Sequence, residues 1–256
     1  MDRIDYIIPT WNSGATLELA IKSIERYGYP NQIIIVDRYS SDNTLEIAQS
    51  HSCKIVQSTK PLGGARLEGA KAAETELIGF VDSDVEIKND WIELLKQAHE
   101  RKYDDAGVFG AYYEGCLSSN QWPIRLNGGN GAFGCSITYR SLILDCQDLE
   151  RFSSAEDGVY ARFLSQKGFK WYIFSVSVIH HQDITGIPCG VKWRWLGAGL
   201  RMRDGFHLVN IRRILGGAVV GIRMNNLDIS YWENWKIRLN YFIGYLMYKK
   251  YYEIRR

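Results

Sequence analysis

The chain has 256 residues, 46% apolar and 23% charged, with 24 glycines and 5 prolines. That composition excludes collagenous, low-complexity and disordered polymers, and the length can bury the core of one large α/β domain or of a domain with an appendage. The net charge of +2 conceals a division, because residues 192–256 hold 13 basic and 4 acidic side chains whereas residues 1–191 hold 18 and 25. Twelve of the 33 aromatic residues also lie in those last 65, so two regions of different character are expected, changing near Cys189.

The first hundred residues alternate short apolar runs with amphipathic stretches, a pattern that predicts βαβ units and a mostly parallel sheet. Ile4–Ile8 reads as the first strand, followed by a helix capped by Asn12 or Ser13, carrying Leu17, Ile21 and Ile24 and stopped by Gly28 and Pro30. Ile33–Val36 reads as the second strand, ending at Asp37. Ser41 and Asp42 offer a cap for a helix through Leu45 and Ala48, and Ile55 and Val56 make a short third strand. A turn at Pro61 leads into a helix carrying Arg66; Leu77–Val81 is a buried-type strand running into Asp82, Ser83 and Asp84, and Trp91, Leu94, Leu95 and Ala98 mark the next helix. Beyond Ala106 the pattern loosens. Strands are expected at Gly107–Tyr112, into Tyr139 and at Trp171–Ile179, with a glycine-rich stretch at residues 127–134 and a helix from Glu156 through Leu164 closed by Gly168.

The five cysteines, at 53, 116, 135, 146 and 189, form no CxxC pair and have no metal-ligand spacing. An odd number cannot all pair, which favours a reducing, cytoplasmic setting. The N-terminus shows no basic region followed by an apolar stretch, so no signal peptide is expected, and the longest apolar candidate, residues 241–248, is too short to span a bilayer.

In a parallel α/β sheet, ligands bind beyond the carboxyl ends of the strands. Here those ends carry Pro9, Thr10, Trp11 and Asn12, then Asp37, then Asp82 and Asp84. Two carboxylates one residue apart at a strand end can bring Mn²⁺ or Mg²⁺ to a diphosphate, since these ions take few protein carboxylates and fill their other positions with phosphate and water. Arg66, early in a helix, can meet a diphosphate. Each residue also has a plainer reading: Trp11 as a core aromatic, Asp37 as a helix cap, Arg66 as a surface charge, Asp82-Ser83-Asp84 as a solvated turn. No G-x-G-x-x-G follows the first strand and no G-x-x-x-x-G-K-[ST] occurs, which disfavours a dinucleotide-binding fold and a P-loop.

The runs IDYIIPTWNSGATLELAIKSI, IIIVDRYSSDNTLEIA and GGARLEGAKAAETELIGFVDSD resemble the nucleotide-binding half of a family 2 glycosyltransferase with the GT-A fold. The resemblance is strong over residues 4–100, weaker over 127–182 and faint beyond. It implies a GT-A domain over residues 1–190, with a nucleotide-binding half (1–104) and an acceptor half (105–190), and a basic, aromatic, mainly helical region over 191–256. It also implies that Pro9, Thr10 and Trp11 line the base pocket with the indole stacked on the base, that Asp37 accepts a hydrogen bond from the base, and that Arg66 lies near the base or diphosphate. Asp82 would contact the ribose or metal-bound waters, and Asp84 would bind the metal, with Asp82 and His180 completing the site; His181 beside His180 leaves that choice open. Trp11 departs from the tyrosine common at its position, and Arg38-Tyr39 from a small or acidic pair, which bears on base preference.

An inverting sugar transfer needs a carboxylate to take the acceptor hydroxyl proton. Family 2 enzymes resemble this sequence in an Asp or Glu-Asp pair opening a helix, which implies Asp157 as the base and Glu156 as a supporting or acceptor-binding group; the plainer role of both is to offset the helix dipole. Gly128-Gly129-Asn130-Gly131 is either a sugar-pocket lining or an ordinary loop. In the tail, Tyr241, Tyr245, Tyr248 and Tyr252 recur at helical spacing near Lys249, Lys250, Arg255 and Arg256. That pattern suits a membrane surface, with sheet-covering helices or a homodimer interface as rivals and nucleic acid disfavoured.

The expected function is an inverting, metal-dependent transfer of a sugar from a nucleotide-diphosphate donor, a UDP-sugar on family grounds, to a hydroxyl of a glycan, glycolipid or polyprenyl-linked acceptor. A polyprenyl-phosphate sugar synthase and a non-catalytic membrane-associated scaffold on the same fold are the alternatives. Nucleotidylyltransferases are set aside because their glycine-rich loop after the first strand is absent.

Overall fold

The computed structural model describes residues 1–100, 103–115, 121–126, 131–181, 189–220 and 231–252, the side chains of residues 189 and 217–220 excepted. Gly128, Gly129, Asn130, Cys116, Arg255 and Arg256 therefore lie outside the described residues. The chain divides into two compact units, Met1–Arg151 with Asp157–Thr185, and Phe152–Glu156 with Gly186–Arg256.

The first unit is built on a sheet of nine strands: β1 (Ile4–Thr10), β2 (Pro30–Asp37), β3 (Lys54–Gln57), β4 (Leu77–Val81), β5 (Val85–Glu86), β6 (Ala106–Tyr113), β7 (Ile124–Leu126), β8 (Cys135–Tyr139) and β9 (Lys170–His180). Their order is β3-β2-β1-β4-β8-β6-β9-β5, with β7 beside β9. β1 to β4 pair in parallel; β8 is inserted antiparallel between β4 and β6, which restores the common direction to β6 and to β9 beside it. Six strands thus run the same way, as a mostly parallel GT-A sheet requires.

The apolar runs are nearly continuous because both faces of the sheet are covered, and side chains alternate between them. Tyr6, Ile8, Ile33 and Ile35 point into one core with Ile21 and Ile24 of α1 (Leu17–Tyr27) and Trp91, Leu94 and Leu95 of α4 (Trp91–Glu100). Ile7, Ile34 and Val36 point into the other with Leu67 of α3 (Leu62–Ala72) and with Phe80, Phe133, Tyr160 and Trp171. The first core is pinned by Tyr6, whose hydroxyl accepts from Trp91 Nε1 at 2.9 Å and donates to the Gly28 carbonyl at 2.7 Å. A short α2 (Thr44–Ser50) follows β2, with Asp42 Oδ1 accepting from its first N–H and from the Thr44 hydroxyl. After β8 come α5 (Arg140–Asp145) and α6 (Glu156–Gln166), whose exit turn uses Gly168 at φ 85°.

The capping expectation for α1 is corrected. The helix starts at Leu17 after Thr16, with no side-chain cap bond, and the Ser13 carbonyl accepts from the N–H groups of Thr16 and Leu17. Asn12, at φ 50°, and Ser13 spend their side chains on the neighbouring loops instead.

The second unit holds α7 (Cys189–Asp204), α8 (Leu208–Val220), α9 (Tyr231–Leu246) and α10 (Tyr248–Tyr251). α7 and α9 approach backbone to backbone: a Cβ added at Gly197 would fall 2.0 Å from the Tyr241 carbonyl oxygen, and one at Gly244 would fall 1.9 Å from that of Arg194. Tyr252 ties the end of the unit to Ser153, whose N–H donates to the phenol oxygen at 2.7 Å and whose hydroxyl donates to the Tyr252 carbonyl at 2.9 Å. The tyrosine series read from the tail is not one outward face. Tyr245 is fully buried, its hydroxyl accepting from His207 N–H at 2.8 Å and donating to the Gly205 carbonyl at 2.9 Å. Among the described residues no helix is long and apolar enough to cross a membrane.

Candidate active site

Parallel pairing brings the carboxyl ends of β1 and β2 side by side, with Thr10 opposite Asp37. Both are buried. Asp37 Oδ1 accepts from the hydroxyls of Thr10 at 3.2 Å and Ser40 at 2.5 Å, and Oδ2 accepts from Ser40 N–H at 2.9 Å. Asp37 therefore fixes the loop after β2 against the end of β1, and three of its roughly four acceptor positions are filled. Pro9 is likewise a buried strand residue, whereas Trp11 is 43% exposed with the Arg38 guanidinium 5.8 Å from its ring centre.

β4 delivers Asp82 and Asp84. The Asp82 N–H donates to the Gly134 carbonyl at 3.0 Å, and its Oδ1 accepts from Arg66 Nη2 at 2.9 Å. Arg66 is only 1% exposed and lies against Phe80 and Phe133, 5.4 and 4.9 Å from their ring centres. That burial removes the surface-charge reading: Arg66 reaches the site from beneath, through Asp82. Ser83 is part of the assembly as well, since its hydroxyl meets that of Ser13 at 2.9 Å and joins the loop after β1 to the loop after β4.

The second half of the sheet completes the group. β5 pairs with β9, placing Val85 opposite His180, and His180 Nε2 lies 3.3 Å from Asp84 Oδ2. His181 turns to Glu86 instead, 3.1 Å away, which separates the two neighbouring histidines. Tyr113, at the end of β6, stacks on the His180 ring with centres 4.4 Å apart. Burial raises the Tyr113 hydroxyl pKa well above its ordinary value, and the negative charges of Asp82, Asp157 and Asp84 add to that rise. Tyr113 carried no motif; only the pairing of β6 with β9 brings it to His180.

Asp157 stands in the first turn of α6, half-buried, with Oδ1 accepting from Phe133 N–H at 3.0 Å. Glu156 is 5% exposed.

Asp84 and His180 provide an oxygen and a nitrogen donor side by side, a set that fits Mn²⁺ or Mg²⁺ when diphosphate and water supply the remaining positions. Among the described residues no group of three His, Cys, Asp or Glu side chains converges as a closed metal site. The residues fit an ion shared with a substrate better than one caged by protein.

Comparison with known proteins gives the family. The model of glycosyl transferase family 2 matches residues 5–155. Glycosyltransferase GlyG of Streptococcus pneumoniae is 33% identical over 118 residues, 43% of this chain; the chain spans 39% of that protein's length. Among solved structures, the Pyrobaculum calidifontis mannosyltransferase PcManGT in complex with GDP-Man and Mn²⁺ superposes with a TM-score of 0.64 at 14% identity, over 96% of this chain and 87% of that one. Glucosyl-3-phosphoglycerate synthase of Mycobacterium tuberculosis, solved with Mn²⁺, UDP and glucosyl-3-phosphoglycerate, gives a TM-score of 0.57 at 18% identity, over 80% of this chain and 81% of that one. At these identities the likeness of the solved structures is one of fold. The family match spans more than half of the chain and contains the ends of β1, β2 and β4, and the chain belongs to glycosyl transferase family 2.

Proposed function

We propose that the chain transfers a sugar, with inversion, from a uridine diphosphate sugar to a hydroxyl of a glycan, glycolipid or polyprenyl-linked acceptor, with the help of Mn²⁺ or Mg²⁺. The observation that carries this reading is the meeting of Asp84 and His180, 3.3 Å apart with Tyr113 stacked on the imidazole, beyond the carboxyl ends of the shared-direction strands that also carry Thr10, Asp37 and the Arg66-held Asp82.

In this reading Trp11 stacks on the base, and Pro9 and Thr10 form the floor beneath it. Asp37 positions Thr10 and Ser40 and keeps about one acceptor position for a base N–H. Arg66 holds Asp82 toward the ribose and diphosphate. Asp84 and His180 hold the ion, which when bound neutralises charge on the leaving diphosphate. Asp157, its carboxylate oriented by the Phe133 N–H, accepts the proton of the acceptor hydroxyl as that oxygen attacks the anomeric carbon. Glu156 supports the first turn beside it. Support for the uridine base and the divalent ion comes from fold relatives solved with UDP and Mn²⁺, although one relative carries GDP-Man, so the base is decided by titration and not by likeness.

Asp157→Asn tests the base role. Release of nucleoside diphosphate with hydroxyl acceptors should fall by about 100-fold or more while donor affinity stays within about twofold. Near-normal turnover would contradict the role, and turnover with an already ionised acceptor such as a polyprenyl phosphate in place of a hydroxyl would favour a polyprenyl-phosphate sugar synthase.

A further inference from the structure

Helix α9 has one covered face and, among the described residues, one exposed apolar face. On the covered side, Asn234, Ile237, Arg238 and Tyr245 are buried, and Arg238 Nη1 donates to the carbonyls of Arg213 and Ile214 in α8, each at 3.3 Å. On the opposite side, Trp232, Trp235, Leu239 and Leu246 are 72%, 40%, 40% and 49% exposed. With half-buried Ile243 these positions follow steps of three and four residues, which confines them to an arc of about 80° at about 100° per residue.

The exposed charge of the second unit is mostly of one sign among the described residues. Lys236 lies next to Trp232 on the helix wheel, Lys249 and Lys250 follow in α10, and Arg212 and Arg213 stand on α8; all five are exposed. Among the described residues of the second unit, Glu233 is the one exposed acid. A contiguous apolar stripe with two exposed indoles marks a contact surface. Indoles favour the headgroup level of a bilayer, and lysine and arginine favour anionic lipid. Pairing the stripe with that of a second copy would add a second set of the same positive charges to one interface, whereas an anionic bilayer complements them.

We propose that this face of α9 docks the chain on the surface of an anionic lipid bilayer, with Trp232 and Trp235 at the headgroup level and the 16-residue helix lying in the interface plane rather than crossing it. The tail tyrosines singled out in the sequence are not the anchors; the tryptophans and leucines on the uncovered face of α9 are.

The test uses the full chain and vesicles of phosphatidylcholine with or without phosphatidylglycerol. The chain should sediment with the anionic vesicles and stay in solution with the neutral ones, with tryptophan emission moving to the blue on binding. The double substitution Trp232→Ser and Trp235→Ser should weaken vesicle binding by about tenfold or more. Lys249→Glu with Lys250→Glu should weaken it as well, and this variant carries the test if circular dichroism shows that the tryptophan variant has lost helix. The proposal is overturned if the chain ignores anionic vesicles or if both variants bind as the wild type does. It is equally overturned if the chain doubles its mass in solution through Trp232 and Trp235, which would assign the face to a second copy. Vesicle binding requires no donor or turnover, so failure here leaves the sugar-transfer reading standing, and the reverse.

Discussion

Arg66 and Asp82 form an ion pair whose halves have different surroundings: the guanidinium is 1% exposed and the carboxylate 31%, with Nη2 2.9 Å from Oδ1. A buried cation beneath a half-open carboxylate fixes that carboxylate in one orientation before any ligand arrives. The aromatic rings of Phe80 and Phe133 keep the guanidinium in place, and its planar fork suits an Asp partner better than an ammonium would.

Arg66→Met should therefore destabilise the fold by about 1–3 kcal/mol, read as a shift in the denaturant midpoint, and weaken nucleotide-sugar binding as Asp82 loses its anchor. Arg66→Lys should fall between, because it keeps the charge and loses the fork. Equal donor affinity in wild type and both variants would show that Asp82 needs no such support.

Gly134 is the second constraint on Asp82. A Cβ at this position would lie 2.1 Å from Asp82 Oδ2 and 2.8 Å from its Cβ, so Gly134→Ala must turn the carboxylate away. The expected result is a loss of metal-dependent donor affinity of about tenfold or more, with a folding cost of about 1–3 kcal/mol. Calorimetric titration of donor, beside a melting curve, separates the two effects.

The Ser13 and Ser83 hydroxyls, 2.9 Å apart, couple the loop expected to hold the base to the loop that carries Asp82 and Asp84. A double-mutant cycle with Ser13→Ala and Ser83→Ala should return a coupling of about 0.5–1.5 kcal/mol in donor binding. Strict additivity would mean that the two loops act separately.

Much of this arrangement was legible in the residues themselves. Strand Leu77–Val81 has the bounds that its apolar run predicts, β2 ends at the expected Asp37, β1 starts at the expected Ile4 and runs two residues past the expected Ile8 to Thr10, and the helix from Glu156 forms where its acids and Gly168 place it. Long-range geometry was not legible. The insertion of β8 between β4 and β6 brings Gly134 to Asp82 across strands separated by more than fifty residues, and no local pattern records it. Tyr113 reaches His180 only through a strand pairing, and Ser13 looks like a helix cap until its hydroxyl is seen to bond Ser83. In the tail, spacing alone did not distinguish Tyr245, which is buried, from Trp232, which is exposed.

Asp5 gives a pH signature that is independent of the site. Burial pushes its carboxyl pKa up, but hydrogen bonds from the Glu74 N–H, the Asn31 and Gln32 amides and the Thr75 N–H more than reverse this and hold it below the ordinary 3.8. A depressed folded-state pKa stabilises the fold above the unfolded value, and the contribution disappears as pH falls through the folded one. Asp5→Asn should cost about 2 kcal/mol near pH 7, and the gap between variant and wild type should narrow below pH about 4. Melting curves across pH check this; a gap that does not change with pH would contradict it.

The most direct measurement is calorimetric titration of UDP-sugars and GDP-sugars into the chain with and without Mn²⁺, repeated for Asp84→Asn and His180→Ala. The account predicts binding of a UDP-sugar that requires the ion and falls about tenfold or more in each variant. Donor binding that ignores Mn²⁺, or that survives both substitutions unchanged, would contradict the assignment of Asp84 and His180 as the residues that bring metal and diphosphate together.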